Sequence, residues 1–108
     1  MKRGAEHAVG RVQLKITPSL ATILDKQGTD WLTFEKEVGE GATIGDLLAD
    51  FVTSYKNFDK VVLDPDNGEV SDQINIVLND SLLPLPEAVE AKLADGDIVI
   101  LLPVYAGG

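Results

Sequence analysis

Thr43-Ile44-Gly45-Asp46-Leu47-Leu48-Ala49-Asp50-Phe51-Val52-Thr53-Ser54-Tyr55 is the stretch that decides the fold. Ile44, Leu47, Leu48, Phe51, Val52 and Tyr55 fall at i, i+3, i+4, i+7, i+8 and i+11, one continuous apolar stripe along a helix. Thr43 is the expected N-cap, and Asp46 three residues later resembles a capping box with Asp in place of Glu. Asp46 and Asp50 lie toward the end of the helix where the dipole tolerates negative charge. A helix with one apolar stripe must bury it against another layer. The flanking segments supply that layer.

Upstream, Val12, Leu14 and Ile16 alternate with Arg11, Gln13 and Lys15, the period of a half-buried strand. Pro18 ends free pairing there, and Leu20, Ile23 and Leu24 are expected to cover the core edge in a turn-like segment. Asp25-Lys26-Gln27-Gly28 signals a turn. A second strand follows from Trp31 to Val38 with Leu32, Phe34 and Val38 on one face. Lys36 interrupts that face, which predicts an exposed far end.

Downstream, residues 56–73 are rich in turn formers around Asp64-Pro65-Asp66-Asn67-Gly68 and read mostly as loop. Ile74, Ile76 and Leu78 alternate with Asn75, Val77 and Asn79, and Asn79-Asp80-Ser81 turns the chain into a short strand at Leu82-Leu83. Leu85, Val89 and Leu93, with Pro86 at a first helical position, suggest a short helix or 3₁₀ piece. After the Asp95-Gly96-Asp97 turn, Ile98-Val99-Ile100-Leu101-Leu102 predicts a central strand buried on both faces. The order is ββαβββ. It defines an α+β domain with a mixed sheet of about five strands on one main helix. Residues 1–10 read as a flexible N-terminal tail, 11–103 as the folded domain and 104–108 as a flexible C-terminal tail.

A length of 108 residues fits one domain. Leu, Ile, Val and Phe make up roughly a third of the chain, well above the roughly 20% that marks disorder. Asp plus Glu number 18 against 9 Lys plus Arg, a net charge of −9. Residues 61–108 hold nine of the acids and a single base, Lys92. That half lacks the positive footprint that nucleic acid and anionic lipid require, and it favours a basic protein partner. The absence of cysteine removes disulfides, thiolate metal sites and cysteine nucleophiles. No apolar run approaches the roughly 20 residues of a membrane helix. The polar start from Met1 to His7 lacks a signal sequence, so a cytoplasmic location is expected.

Several motifs tempt and fail. Gly39, Gly41 and Gly45 precede the helix, yet no P-loop lysine follows, and Glu40 and Asp46 would repel a phosphate. Asp64-Pro65-Asp66-Asn67-Gly68 places Gly68 where a calcium loop needs an oxygen ligand. Asn79-Asp80-Ser81 matches a glycosylation sequon in form only. His7, the one histidine, lies in the N-terminal tail, so no triad or histidine metal site sits on rigid elements. Asp95 and Asp97 read as a solvated turn. The chain is expected to hold no metal and no catalytic site of its own.

What remains is Pro103-Val104-Tyr105-Ala106-Gly107-Gly108. Six extended residues reach about 20 Å at 3.3–3.6 Å each. Gly107 and Gly108 have no Cβ, so they fit a channel too narrow for a side chain. From Ile98 onward the only charge is the terminal carboxylate of Gly108. A carboxylate donates its acyl group only after conversion to an activated form such as a mixed anhydride with AMP.

The ββαβββ order joins three sequence features: the Gly41-Ala42-Thr43-Ile44-Gly45-Asp46-Leu47-Leu48 helix entry, the segment from Leu93 to Pro103, and the closing Ala106-Gly107-Gly108. Together they resemble the MoaD/ThiS family of ubiquitin-like β-grasp sulfur carriers, over about residues 11–108. Asn79-Asp80 stands where the family often has Asn-Gly, the 56–73 loop is long, and Tyr105 adds bulk to the tail. The resemblance implies a carrier, not an enzyme, with no bound cofactor. An E1-like adenylating enzyme using ATP and magnesium would activate Gly108, and a desulfurase or rhodanese-type donor would supply sulfur. An acceptor such as the large subunit of molybdopterin synthase would receive it. Pro103, Val104, Tyr105 and Ala106 would be the recognised segment, Gly107 the slim spacer and Gly108 the reactive residue. The ending looks closer to the molybdopterin synthase small subunit and the cysteine-synthesis carriers than to thiamine carriers, and molybdopterin is the favoured branch. Carriers for thiamine, cysteine or tRNA thiolation, a ubiquitin-like protein modifier, and a non-reactive β-grasp binding module are the alternatives.

Overall fold

Five strands, among the described residues, pair in the order β2-β1-β5-β3-β4. The computed structural model describes residues 8–24, 30–64, 68–85 and 87–104, with the backbone alone for Ala8 and Val9. β1 (Ala8–Ile16) pairs antiparallel with β2 (Leu32–Gly39) and parallel with β5 (Ile98–Pro103). β5 pairs antiparallel with β3 (Ile74–Leu78), which carries the short β4 (Ser81–Leu83). The register aligns Leu32, Ile16, Leu101, Ile76 and Leu83 in one row across the sheet. Ile16, Leu101 and Ile76 in that row are fully buried.

Helix α2 (Ile44–Ser54) covers this row's face, burying Ile44, Leu47, Leu48 and Phe51. α1 (Pro18–Leu24) and α3 (Phe58–Val62) precede and follow it, and a 3₁₀ turn spans Glu87–Glu90. The capping box forms as the spacing suggests: the Asp46 N–H donates to Thr43 Oγ1 at 3.1 Å, and the Thr43 N–H to Asp46 Oδ2 at 3.0 Å. Among the described residues, no helix is long and apolar enough to cross a membrane.

Several expectations need correction. β1 begins at Ala8, so pairing starts before Arg11; residues 1–7, His7 included, lie outside the described residues. Gly10 is packed so tightly that an added Cβ would stand 2.5 Å from Asp95 Cα, a close approach only glycine permits. The segment from Pro18 to Leu24 is a helix rather than a turn, because the Thr17 carbonyl accepts the Leu20 and Ala21 N–H groups. Pro18 suits a first helical turn, where no N–H is needed. The Asp25-Lys26-Gln27-Gly28 turn lies outside the described residues.

Lys36 does not expose the end of β2. Its ammonium stands 2.6 Å from Asp50 Oδ2 on α2, and Val38 beyond it is buried. Residues 56–73 hold α3 and an antiparallel bridge between Leu63 and Val70 where a loop was expected. Phe58, Val61 and Val62, at i, i+3 and i+4, all enter the core, and Phe58 stacks on Phe51 with ring centroids 5.3 Å apart. The β5 run is buried on one face only: Val99 and Leu101 are inaccessible, while Ile98, Ile100 and Leu102 stay half-buried.

Since Phe58 belongs to the core, Phe58→Ala is expected to lower stability by about 3–5 kcal/mol, read as a reduced denaturant midpoint. A loop residue would shift it by less than about 0.5 kcal/mol.

Candidate functional site

The element that positions the C-terminal segment is β5, and its lower end is fixed by side chains. Asn79 sits in a two-residue turn with Asp80, both at positive φ (49° and 73°), which brings β4 back against β3. From there Asn79 Oδ1 accepts the Ile98 N–H at 2.9 Å, and Asn79 Nδ2 donates to Asp97 Oδ1 at 2.8 Å. Asp97 Oδ2 accepts the Ala94 N–H at 2.8 Å, and Asp95 Oδ1 accepts the Arg11 N–H at 2.9 Å. Asp95 and Asp97 are turn-holding groups.

At the other end, the Thr17 N–H donates to the Leu101 carbonyl at 3.4 Å, closing the pairing with β1. Pro103 follows opposite Ile74 and has no N–H to give. Nothing is left unfilled, because the Thr17 carbonyl already accepts the Ala21 N–H at 2.8 Å. The Val104 N–H donates to the Gln73 carbonyl at 2.9 Å, so the ladder to β3 continues to Val104, whose side chain is exposed. Pro103 and Val104 thus leave the sheet at the open end of its central strand. Tyr105, Ala106, Gly107 and Gly108 lie outside the described residues.

Among the described residues no group of three His, Cys, Asp or Glu is placed to hold a metal, and no buried side-chain nitrogen or oxygen lacks a hydrogen-bond partner. The helix entry after Gly41 has its first amides met by Thr43 and Asp46, which leaves no phosphate cradle. Pro65, Asp66 and Asn67 of the calcium-like sequence lie outside the described residues. A groove of about 640 Å³ between α2 and the residues around Leu63, Val70 and Leu85 is walled mainly by apolar side chains, with Thr53 and Glu69 the polar ones.

Sequence reasoning missed the outward face of β5. An unbroken apolar run suggested burial on both sides, yet the helical stretches of a chain this short cover one face of the sheet.

Comparison with known proteins agrees with this geometry. The model of the ThiS family matches residues 21–108. The sulfur carrier protein CysO of Mycobacterium tuberculosis is 30% identical over 97 residues, 88% of this chain and 100% of that protein. The crystal structure of SAMP1 from Haloferax volcanii is similar with a TM-score of 0.70 and 27% identity, covering 92% of this chain and 100% of that one. A chain of the Amycolatopsis orientalis BexX/CysO complex shares the fold at a TM-score of 0.62 and 24% identity, over 90% and 99% of the two chains. The sheet and helices are those of the ubiquitin-like β-grasp, and the curated relatives are carriers rather than catalysts.

Asn79→Gly keeps a residue that tolerates positive φ but removes both side-chain bonds at the base of β5. It is expected to cost about 1–2 kcal/mol and to speed hydrogen exchange at the Ile98 amide, measured by denaturation and by amide exchange.

Proposed function

This chain belongs to the ThiS family, a family of sulfur carriers, and from that premise we propose that Gly108 is its reactive residue. The observation that carries the reading is the family match itself, which runs through to residue 108. The structure supports it by placing Val104, four residues earlier, exposed at the end of a strand paired on both sides.

An E1-like adenylating enzyme brings ATP and magnesium. The Gly108 carboxylate attacks the α-phosphorus of ATP, forming an acyl adenylate and releasing pyrophosphate. The terminal sulfur of a persulfide on a desulfurase or rhodanese-type donor then displaces AMP to form an acyl disulfide, and a thiol cleaves its S–S bond, leaving the thiocarboxylate and a new disulfide. Pro103, Val104, Tyr105 and Ala106 form the segment that partners recognise, and Gly107 is the slim spacer in their channels. The carrier itself binds no cofactor. Its own residues hold and present the carboxyl group, and the catalytic groups are the partners'.

For the sulfur acceptor, the CysO likeness turns the choice toward cysteine synthesis. Molybdopterin synthesis is the second reading, supported by the resemblance of the tail. The SAMP1 likeness keeps a role as a protein modifier in view, since conjugation uses the same adenylate.

Deleting Gly108, or adding one residue after it, is expected to abolish adenylation in an ATP–pyrophosphate exchange assay and leave the denaturation midpoint unchanged. Intact mass from the native host should show one oxygen exchanged for sulfur. Activation that survives either change at Gly108 contradicts the proposal.

A further inference from the structure

The β3–β5 ladder is finished in the same way at its two ends. Its register, carried one step past each end, sets Asn79 opposite Ile98 and Gln73 opposite Val104. A regular antiparallel ladder would exchange two backbone bonds at each of these pairs. Here each pair makes one: the Asn79 N–H donates to the Ile98 carbonyl, and the Val104 N–H to the Gln73 carbonyl, both at 2.9 Å. The other donor of each pair goes to a side chain. The Ile98 N–H meets Asn79 Oδ1 at 2.9 Å, and the Gln73 N–H meets Ser71 Oγ at 3.0 Å. Ser71 therefore does at the Val104 end what Asn79 does at the base.

Ser71 is only 9% exposed, and its own N–H donates at 2.7 Å to the carbonyl of Val62, a fully buried residue of α3. A chain of bonds thus runs from the core through Val62, Ser71 and Gln73 to the Val104 amide. That last bond is the final hold of β3 on β5. Pro103 has no N–H, so without it the nearest amide is that of Leu102, two residues back.

We infer that Ser71 is a positioning residue for Gly108: its hydroxyl fixes the Gln73 peptide, whose carbonyl latches the Val104 amide to the sheet. The inference rests on the reading of Gly108 as the reactive residue. The latch sets how much chain a partner has to order when it takes up the carboxylate. Gly108 stands four residues beyond Val104, a span of at most about 14 Å. Measured from Leu102 the span is six residues and about 20 Å. Each residue fixed on binding carries a cost in conformational entropy, and the latch has already met that cost for Pro103 and Val104.

The test combines amide hydrogen exchange of the full chain with ATP–pyrophosphate exchange by its cognate adenylating enzyme. Ser71→Ala is expected to speed exchange at the Val104 amide about fivefold or more beyond any change at Ile100, inside the ladder. It should lower kcat/KM for the carrier about fivefold or more. Ser71→Thr keeps the hydroxyl and should restore both. Val104→Pro removes the latch donor itself and should lower kcat/KM, and adding Ser71→Ala to it should cost nothing further. A change at Val104 no larger than that at Ile100 overturns the latch, as does a Ser71→Ala effect that persists in full beside Val104→Pro. Faster Val104 exchange with kcat/KM within about twofold of wild type overturns the positioning role. In either case deletion of Gly108 that still abolishes pyrophosphate exchange leaves the carrier reading standing. Activity that survives the deletion defeats the carrier reading itself.

Discussion

The pairing of β5 with β1 on one side and β3 on the other is the constraint on which the structure depends. It is the parallel contact that joins the two ends of the chain, setting residue 13 beside residue 98 and residue 16 beside residue 101. A parallel pair cannot be closed by a tight turn, so everything between must form the crossover. That crossover supplies the helices, β2, and the β3–β4 hairpin. α2 is tied to it directly: the Ile44 N–H donates to the Ala91 carbonyl and the Leu93 N–H to the Ala42 carbonyl, each at 2.9 Å. The approach to β5 and the entry to α2 thus form one bridged unit. A strand held on both edges and along one face is a rigid place from which to present the residues that follow it.

What was legible in the sequence was what local chemistry decides. The α2 stripe and its Thr43–Asp46 box announce themselves because side chains and amides three or four residues apart settle them. The Asn79-Asp80 turn was legible too, since few residues accept positive φ. α3 was hidden because a five-residue helix has little periodicity of its own, and Asp64 to Gly68 dominate the composition around it. Its signal was the spacing of Phe58, Val61 and Val62, whose burial depends on the Phe51 ring. Lys36 misled for a different reason. A cation on a core-facing position looks like a break until Asp50 is seen on the neighbouring helix, a contact no strand pattern contains. Of the proposed site, Pro103 and Val104 were legible as the exit of β5. The outward face of β5 was not, because an apolar run does not say how many layers lie over it.

The acids illustrate how function and architecture divide in this molecule. Asp46 caps α2, Asp50 meets Lys36, Asp95 meets the Arg11 amide, and Asp97 gathers Ala94 and Asn79. Carboxylates held in this way fix turns and helix ends. The chemistry of a carrier requires no more of its own side chains. It requires a backbone end that others can reach, and a scaffold that keeps that end clear of the core.

The outer face gives this division a physical cost. Apolar side chains left on a sheet, beside an edge strand, invite pairing with other chains. The fold limits that hazard at both edges. β4 is only three residues long, and β2 at the opposite edge carries Glu35, Lys36 and Glu37 in succession. Arg11 reaches across to Glu37 at 3.2 Å and Glu35 at 3.6 Å, so the outer face of β1 and β2 is charged and paired. Polar residues in place of Ile100 and Leu82 would have reduced the hazard at little loss to the core, since neither belongs to the buried row.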